Sequence, residues 1–313
     1  MAEPAKVDLV GVGLNATDTL IRITHFPERG SKTEYNHAQI MPGGQAASTV
    51  IACQTWGLTT RYVGKIGDDH AAALHRHAFD RAGVDARLIT VPHAASPQSL
   101  ILVDEGGERT VLCRRDERLL LQPSDLDRSW IQNARVLHID GFETAAATTA
   151  ARWARDAGIP VVADLDEIYP GVEDLLECID YLIVSRDFPT RLTRERNLEQ
   201  ALRVLQRRFG CAIAAATLGD HGVLAWDGGR FHACAAYRVP VSDTTGAGDI
   251  FHAGFIYGLL QDWPLPRRLD FACAAAALNC TAHGARGRIG TLDEIETLMA
   301  TTPHYATAIS GSL

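Results

Sequence analysis

The stretch SDTTGAGDIFHAGF, residues 242–255, brings two carboxylates and two glycines to the start of an apolar run. Asp243 and Asp249 bracket Gly246, Ala247 and Gly248, and Phe251, Phe255 and Leu259 follow on one face of an expected helix. The first N–H groups of a helix have no internal partner and carry the positive end of its dipole. Glycines there let an anion approach those groups closely. Such a cradle would stabilise charge on a transferred phosphoryl group, and Asp249, in the first turn, could take a proton from an attacking hydroxyl. Asp243 falls where the chain turns and could hold a cation or a loop. A structural reading also fits, in which Asp243 or Thr244 caps the helix and Asp249 complements its dipole. The stretch alone leaves both open.

Such residues need a scaffold to hold them. Short apolar runs ending in polar residues or glycine predict strands over 7–13, 60–67, 134–140, 159–166, 179–185 and 211–219. Helical patterns over 43–57, 69–82, 144–157 and 197–209 alternate with them. Strand alternating with helix is the pattern of a mostly parallel sheet covered on both faces, an α/β sandwich. Ligands bind such sheets beyond the carboxyl ends of the strands. Those ends carry Asp140, Asp164, Ser185 and Thr217, with Asp18 close to the first. Residues 18–41 and 97–115 break the alternation. Each reads as two strands without a crossover helix, the second pair around a Gly-Gly turn, and together they predict a small antiparallel sheet acting as a lid on a single domain of 313 residues.

The net charge is −8 and no long basic run occurs, which argues against a nucleic-acid partner. The first residues lack a basic segment followed by a long apolar core, so no signal peptide is expected. The longest apolar stretches, such as 271–278, are too short to span a bilayer. Seven scattered cysteines without a C-x-x-C pair predict reduced, buried thiols in a cytoplasmic protein. The twelve histidines show no metal-ligand spacing.

DTTGAGD resembles the C-terminal signature of the ribokinase-like, or PfkB, family of carbohydrate kinases. PGGQAASTVIACQTWG (42–57) resembles its N-terminal glycine pair and helix, TLGDHGVLAWDGG (217–229) its nucleotide loop, and GLNATDTLI (13–21) its first strand exit. The matches run in family order over about residues 7 to 300. The resemblance implies an α/β sandwich with a β lid, often a homodimer through that lid, and transfer of the γ-phosphoryl of ATP to a hydroxymethyl group with Mg²⁺. It implies Asp249 as base and Gly246, Ala247 and Gly248 as anion hole. Asp18, Gly43, Gly44, Gln45 and Ser48 stand where the family holds its sugar, joined by Asp140. Thr217, Gly219 and Gly222 would border the nucleotide, with Ser185 and Arg186 near its phosphates and Phe271, Ala275 and Asn279 on the helix flanking adenine. Asp243–Thr245 and Gly284, Ala285 and Arg286 resemble two loops that hold a monovalent cation, usually K⁺.

Some positions depart from the pattern. Gln45 and Ser48 replace the lysine and asparagine of ribokinase, and Ala16 replaces a sugar-binding asparagine, with Asn15 one place away. A missing lysine argues against an already phosphorylated sugar. Ser185 and Phe188 replace an N-x-x-E motif tied to Mg²⁺, which leaves the ion to phosphates and water, with Asp249 or Asp164 in its outer shell. VSRDF, LHIDG and GERTVL (107–112) instead resemble ketohexokinase. RRDER (114–118) is a solvated face or, through Arg115 or Asp116, a sugar contact. A neutral ketose such as fructose is the expected substrate. A kinase for 2-keto-3-deoxygluconate or a nucleoside, and a sugar- or nucleotide-binding regulator without catalysis, are the alternatives.

Overall fold

The computed structural model describes residues 5–105 and 109–306. The expected Gly-Gly turn at 106–107 and the start of GERTVL lie outside the described residues. In chain order the strands are β1 (Val7–Val12), β2 (Ala16–Ile23), β3 (Tyr35–Gly43), β4 (Thr60–Ile66), β5 (Asp85–Thr90), β6 (Gln98–Val103), β7 (Arg109–Arg114), β8 (Ala134–Ile139), β9 (Val161–Leu165), β10 (Tyr181–Ser185), β11 (Ile213–Thr217), β12 (Val223–Trp226) and β13 (Phe231–Cys234). The helices are α1 (Gln45–Thr55), α2 (His70–Ala82), α3 (Arg128–Gln132), α4 (Thr144–Asp156), α5 (Val172–Leu176), α6 (Phe188–Thr193), α7 (Leu198–Phe209), α8 (Ala247–Leu260), α9 (Leu265–Asn279) and α10 (Leu292–Thr301).

The large sheet has the order β13-β12-β11-β10-β9-β8-β1-β4-β5. All neighbours from β11 to β5 pair in parallel, and β12 and β13 add an antiparallel edge. Each expected strand forms, slightly shorter than its predicted span. Successive side chains alternate between two cores, as strand geometry requires. Leu9, Val136, Val162, Ile183 and Ala215 face the layer of α1, α8 and α9. Val10, Leu137, Ala163, Leu182 and Ala214 face α4, α5 and α7.

The second sheet has the order β3-β2-β6-β7. It is built from the two segments expected for the lid, but it is mixed. β2 pairs antiparallel with β3, and β6 with β7, while β2 and β6 run parallel. The reason is connectivity: α1, β4, α2 and β5 intervene between the two hairpins and return the chain to the same end of the sheet.

Helix α8 is buried on nearly every side, through Ile250, Phe251, Ala253, Phe255 and Ile256, rather than along one face. It lies so close to α9 that a Cβ on Gly254 would sit 2.8 Å from Ala272 Cα. The seven cysteines are free, but Cys113 is exposed and Cys234 half-buried, against the expectation that all are buried. Among the described residues, no helix is long and apolar enough to cross a membrane.

Candidate active site

Parallel register assembles the floor of the site. Val12 pairs with Ile139, Ile139 with Ala163, Leu165 with Val184, and Ser185 with Thr217. The residues just beyond these pairs therefore come to one edge of the sheet: Gly13, Asp140, Asp164, Asp166, Ser185 and Thr217. The topology reverses at β1, between β4 and β8, which is where an open sheet leaves a crevice.

The mouth of α8 faces this edge. Gly246 is its N-cap, with φ 75°. A Cβ there would also fall 2.1 Å from the Ala285 carbonyl oxygen, so glycine is required by both conformation and packing. Gly248 has no atom within 4 Å of its would-be Cβ, so the space above it is open. Ala247 spends its N–H on the Thr244 carbonyl at 3.2 Å. An anion cradle here would therefore be smaller than expected and would rest on Gly248 and Asp249, whose N–H groups have no partner inside the helix.

Asp249 is buried in the first turn of α8. Burial beside Asp164 pushes its carboxyl up to about 7, against the pull of His252, Arg286 and a hydrogen bond from Ser48. Arg286 Nε donates to Ser48 Oγ at 3.1 Å, and its second amine to the Gly43 carbonyl at 2.8 Å. Thr49 Oγ1 lies 3.1 Å from the Gln45 carbonyl and 3.0 Å from that of Asp249, which fixes the start of α1 to the start of α8. The Arg286 side chain thus runs back from its loop to the start of α1. It is a charge partner of both Asp249 and Asp18.

Asp18 lies within β2, beyond the turn that ends β1. Ser99 of the neighbouring β6 donates to it, and burial raises its carboxyl above the ordinary value. A Cβ on Gly43 would stand 2.6 Å from Asp18 Oδ2, so that glycine makes room for the acid. Gly44, at φ 95°, would press a Cβ 2.5 Å from Asn15 Cα, and its role is the tight entry into α1.

On the other side of the α8 mouth opens a mostly apolar cavity of about 220 Å³. Thr217, Gly219 and Gly222 border it, with Gly248, Tyr237 and Tyr305. Gly222 is demanded by packing, since its Cβ would lie 2.0 Å from the Cys234 carbonyl oxygen. The α9 face that reaches the cavity is Cys273, Ala276, Ala277 and Cys280. Phe271 and Ala275 point into the core, where Phe271 packs against Trp56, Tyr257 and Trp263, so the expected helical phase is off by one position.

A model of the pfkB family carbohydrate kinases matches residues 9–291. The chain belongs to the pfkB family. Curated pfkB relatives include a 5-dehydro-2-deoxygluconokinase of Geobacillus kaustophilus, 26% identical, covering 93% of this chain and 92% of that one. An ATP-dependent ribose-1-phosphate kinase of Halopiger xanaduensis is 28% identical over 86% and 90% of the two chains. Among solved structures, Arabidopsis thaliana ribokinase complexed with ribose and ATP is 23% identical, with a TM-score of 0.82 over 94% of this chain and 99% of that one, a likeness of fold. The chain is a carbohydrate kinase of this family.

The remaining expected site residues have these partners in the structure. Asp140 is buried, and its carboxylate accepts from the backbone N–H groups of Leu14 (2.6 Å), Phe142 (3.2 Å) and Ala46 (3.3 Å). It clamps the ends of β1 and β8 to α1 rather than facing a sugar. Gln45 donates to both Asp164 and Asp166, and His252 Nδ1 stands 3.4 Å from Asp164. Ser185 donates to the Asp166 carbonyl at 3.1 Å, and Arg186 to that of Leu218. Phe188 is fully buried in the core and presents nothing to the site. Asp116 is occupied by Arg118, while Arg115 lies over the Phe142 ring at 4.3 Å.

The two loops expected around a monovalent cation do meet. Asp243 Oδ1 accepts from the Thr245 N–H (2.9 Å) and hydroxyl (2.7 Å), and Oδ2 from the Gly284 N–H (2.8 Å). Burial opposes the charge, but these bonds hold the carboxyl below its ordinary value. Asn279 donates to the Thr245 carbonyl at 3.0 Å, which gives it a loop-bracing role in place of an adenine contact. The Asp243 side chain therefore ties the two loops together. Sequence reasoning missed His252 and Asp166. The D-x-D pattern at the end of β9 was a usable signal for Asp166; nothing local marked His252.

Proposed function

We propose that the chain transfers the γ-phosphoryl of ATP to a hydroxymethyl group of a neutral sugar, a ketose such as fructose. The observation that carries this reading is the position of the α8 mouth. Gly248 opens onto the apolar cavity on one side, and the Asp249 carboxyl turns to Ser48, Arg286 and the Asp18 cleft on the other. A nucleotide in the cavity and a sugar against Asp18 would meet at this point.

Asp249 takes the proton of the attacking hydroxyl, and a carboxyl near 7 suits that task at neutral pH. The N–H groups of Gly248 and Asp249, with the helix dipole, stabilise the transferred group. Asp18 accepts hydrogen bonds from sugar hydroxyls. The cavity's apolar walls and the glycines at 219 and 248 fit a nucleotide base and its phosphates. For Mg²⁺ the carboxylates at hand are Asp164 and Asp166, already bonded to Gln45, which fits an outer-sphere role; bound Mg²⁺ supplies charge neutralisation on the phosphates. Carboxylates dominate the cleft and Gln45 replaces a lysine, which favours a neutral substrate. One observation favours an acidic sugar as a second reading: Arg286 Nη1 is buried and has no hydrogen-bond partner among the described residues. The small sheet is the proposed lid, and its exposed Tyr35, Ile40, Val111 and Leu112 fit a homodimer through it.

A panel of neutral ketoses, sugar acids and nucleosides with ATP, read by ADP release, tests the substrate. Asp249→Asn is expected to lower turnover by roughly 10²–10⁴-fold with nucleotide binding kept. Turnover within a few-fold of the parent would remove Asp249 as base.

A further inference from the structure

Side chains from three separate parts of the chain meet behind the nucleotide cavity. Cys234 ends β13, Asp270 and Cys273 lie on α9, and His304 follows α10. Cys234 Sγ is 3.6 Å from Asp270 Oδ1, and His304 Nε2 is 3.3 Å from the same oxygen. One ligand atom each from Cys234, Asp270 and His304 falls within 4.8 Å of the others. The His304 separation is long for a charge-assisted hydrogen bond. Both separations match edges of a metal tetrahedron. Zinc holds sulfur at about 2.3 Å and nitrogen or oxygen at about 2.0–2.2 Å. At a tetrahedral angle those radii put sulfur and oxygen about 3.5 Å apart, and nitrogen and oxygen about 3.4 Å apart.

We propose that Cys234, Asp270 and His304 form a binding site for a zinc-type divalent cation, with the fourth position open to water. Cys273 already hydrogen-bonds with Cys234. All three main ligands are half-buried, which leaves an entry path from solvent. Tyr237 donates to the same Asp270 oxygen, Oδ1, at 2.6 Å and fixes the orientation of the carboxylate, as an outer partner orients a metal ligand. Cysteine binds as thiolate, so uptake releases the thiol proton to solvent and strengthens as pH rises.

The site would fasten the segment after α10 to the body of the protein. That segment is held by Arg238 N–H to the Pro303 carbonyl (3.0 Å) and Tyr305 N–H to the Ala236 carbonyl (2.8 Å). Tyr237, Cys273 and Tyr305 line the nucleotide cavity, so the cation would brace one of its walls. The spacing in sequence conceals the cluster, since its members lie on three elements.

The test uses the full chain, stripped with chelator and dialysed against micromolar zinc chloride, with bound metal counted by atomic emission. Wild type and the Cys113→Ser control, which removes the exposed cysteine, are expected to retain a single zinc per chain. Cys234→Ser and His304→Ala are expected to lose it. Cobalt loading should give a thiolate-to-metal charge-transfer band in wild type and none in Cys234→Ser. His304 is half-exposed, so its loss leaves the fold intact and the result readable. No zinc retained by wild type, or retention by both variants equal to that of wild type, would overturn the site.

Discussion

Replacing Arg286 by methionine should move the pH dependence of the reaction. Arg286 Nε reaches Ser48 Oγ at 3.1 Å, and Ser48 in turn bonds Asp249. Two hydrogen-bond lengths place the guanidinium about 6 Å from the carboxylate. At an effective dielectric of about 20, opposite charges at that distance attract by roughly 3 kcal/mol, or about two pH units. Partial access of water to Arg286 reduces this to about one unit or more. The sign follows from the role of the base, which acts only when deprotonated. The acid limb of kcat/KM should have its midpoint near 7 in the parent, where burial has already lifted the carboxyl. Without Arg286 the anion loses support, the carboxyl titrates higher, and the midpoint moves to about 8 or above. Arg286→Lys keeps the charge and should hold the midpoint within about half a unit of the parent, although its plateau falls because a lysine lacks the fork that grips both Ser48 and Gly43. Initial rates from acid to alkaline pH, with both substrates varied, measure this. A lowered plateau with an unmoved midpoint in the methionine variant would refute the coupling.

Gly248→Val should abolish activity while the thermal midpoint stays close to the parent's, because its side chain would enter open space and block the cradle; retained activity would assign the glycine to packing alone. Asp18→Ala should raise KM for the sugar far more than KM for ATP, by about 10-fold or more for each lost charged hydrogen bond of roughly 1.5–3 kcal/mol; equal shifts in both constants would remove Asp18 from the sugar site. Replacing K⁺ by tetramethylammonium at constant ionic strength should change kcat by less than about two-fold if the Asp243 clasp alone closes the two loops; a loss of about 10-fold or more would show an ion bound between them.

The large sheet was legible because its strands are short apolar runs ending in polar residues, and parallel pairing then carries Asp140, Asp164, Ser185 and Thr217 to one edge. The start of α8 was legible because glycines and an acid precede an apolar helical run, as they do at Gly246–Asp249. Side-chain direction was harder to read. Asp140 stands at the right strand end, yet three backbone N–H groups capture it. Phe271, Ala275 and Asn279 lie on the right helix but one residue out of phase, because α9 is apolar around most of its circumference and periodicity does not separate the core face from the cavity face. Arg286 was placed with its loop, but its long side chain runs back to Ser48 and Gly43, and loop position alone says nothing of where such a chain ends.

The bond between Thr49 and the Asp249 carbonyl joins positions 200 residues apart, and the clamp of Asp140 on Leu14 spans 126. β1, at the centre of the sheet, has neighbours that are translated well after it. On the ribosome this strand must therefore wait for β4 and then for β8 before either of its edges is covered. The contact between α1 and α8 closes later still, when about four-fifths of the chain has emerged. Loop-closure entropy makes such distant pairings slow. Refolding should accordingly recover helical signal before it recovers phosphoryl transfer.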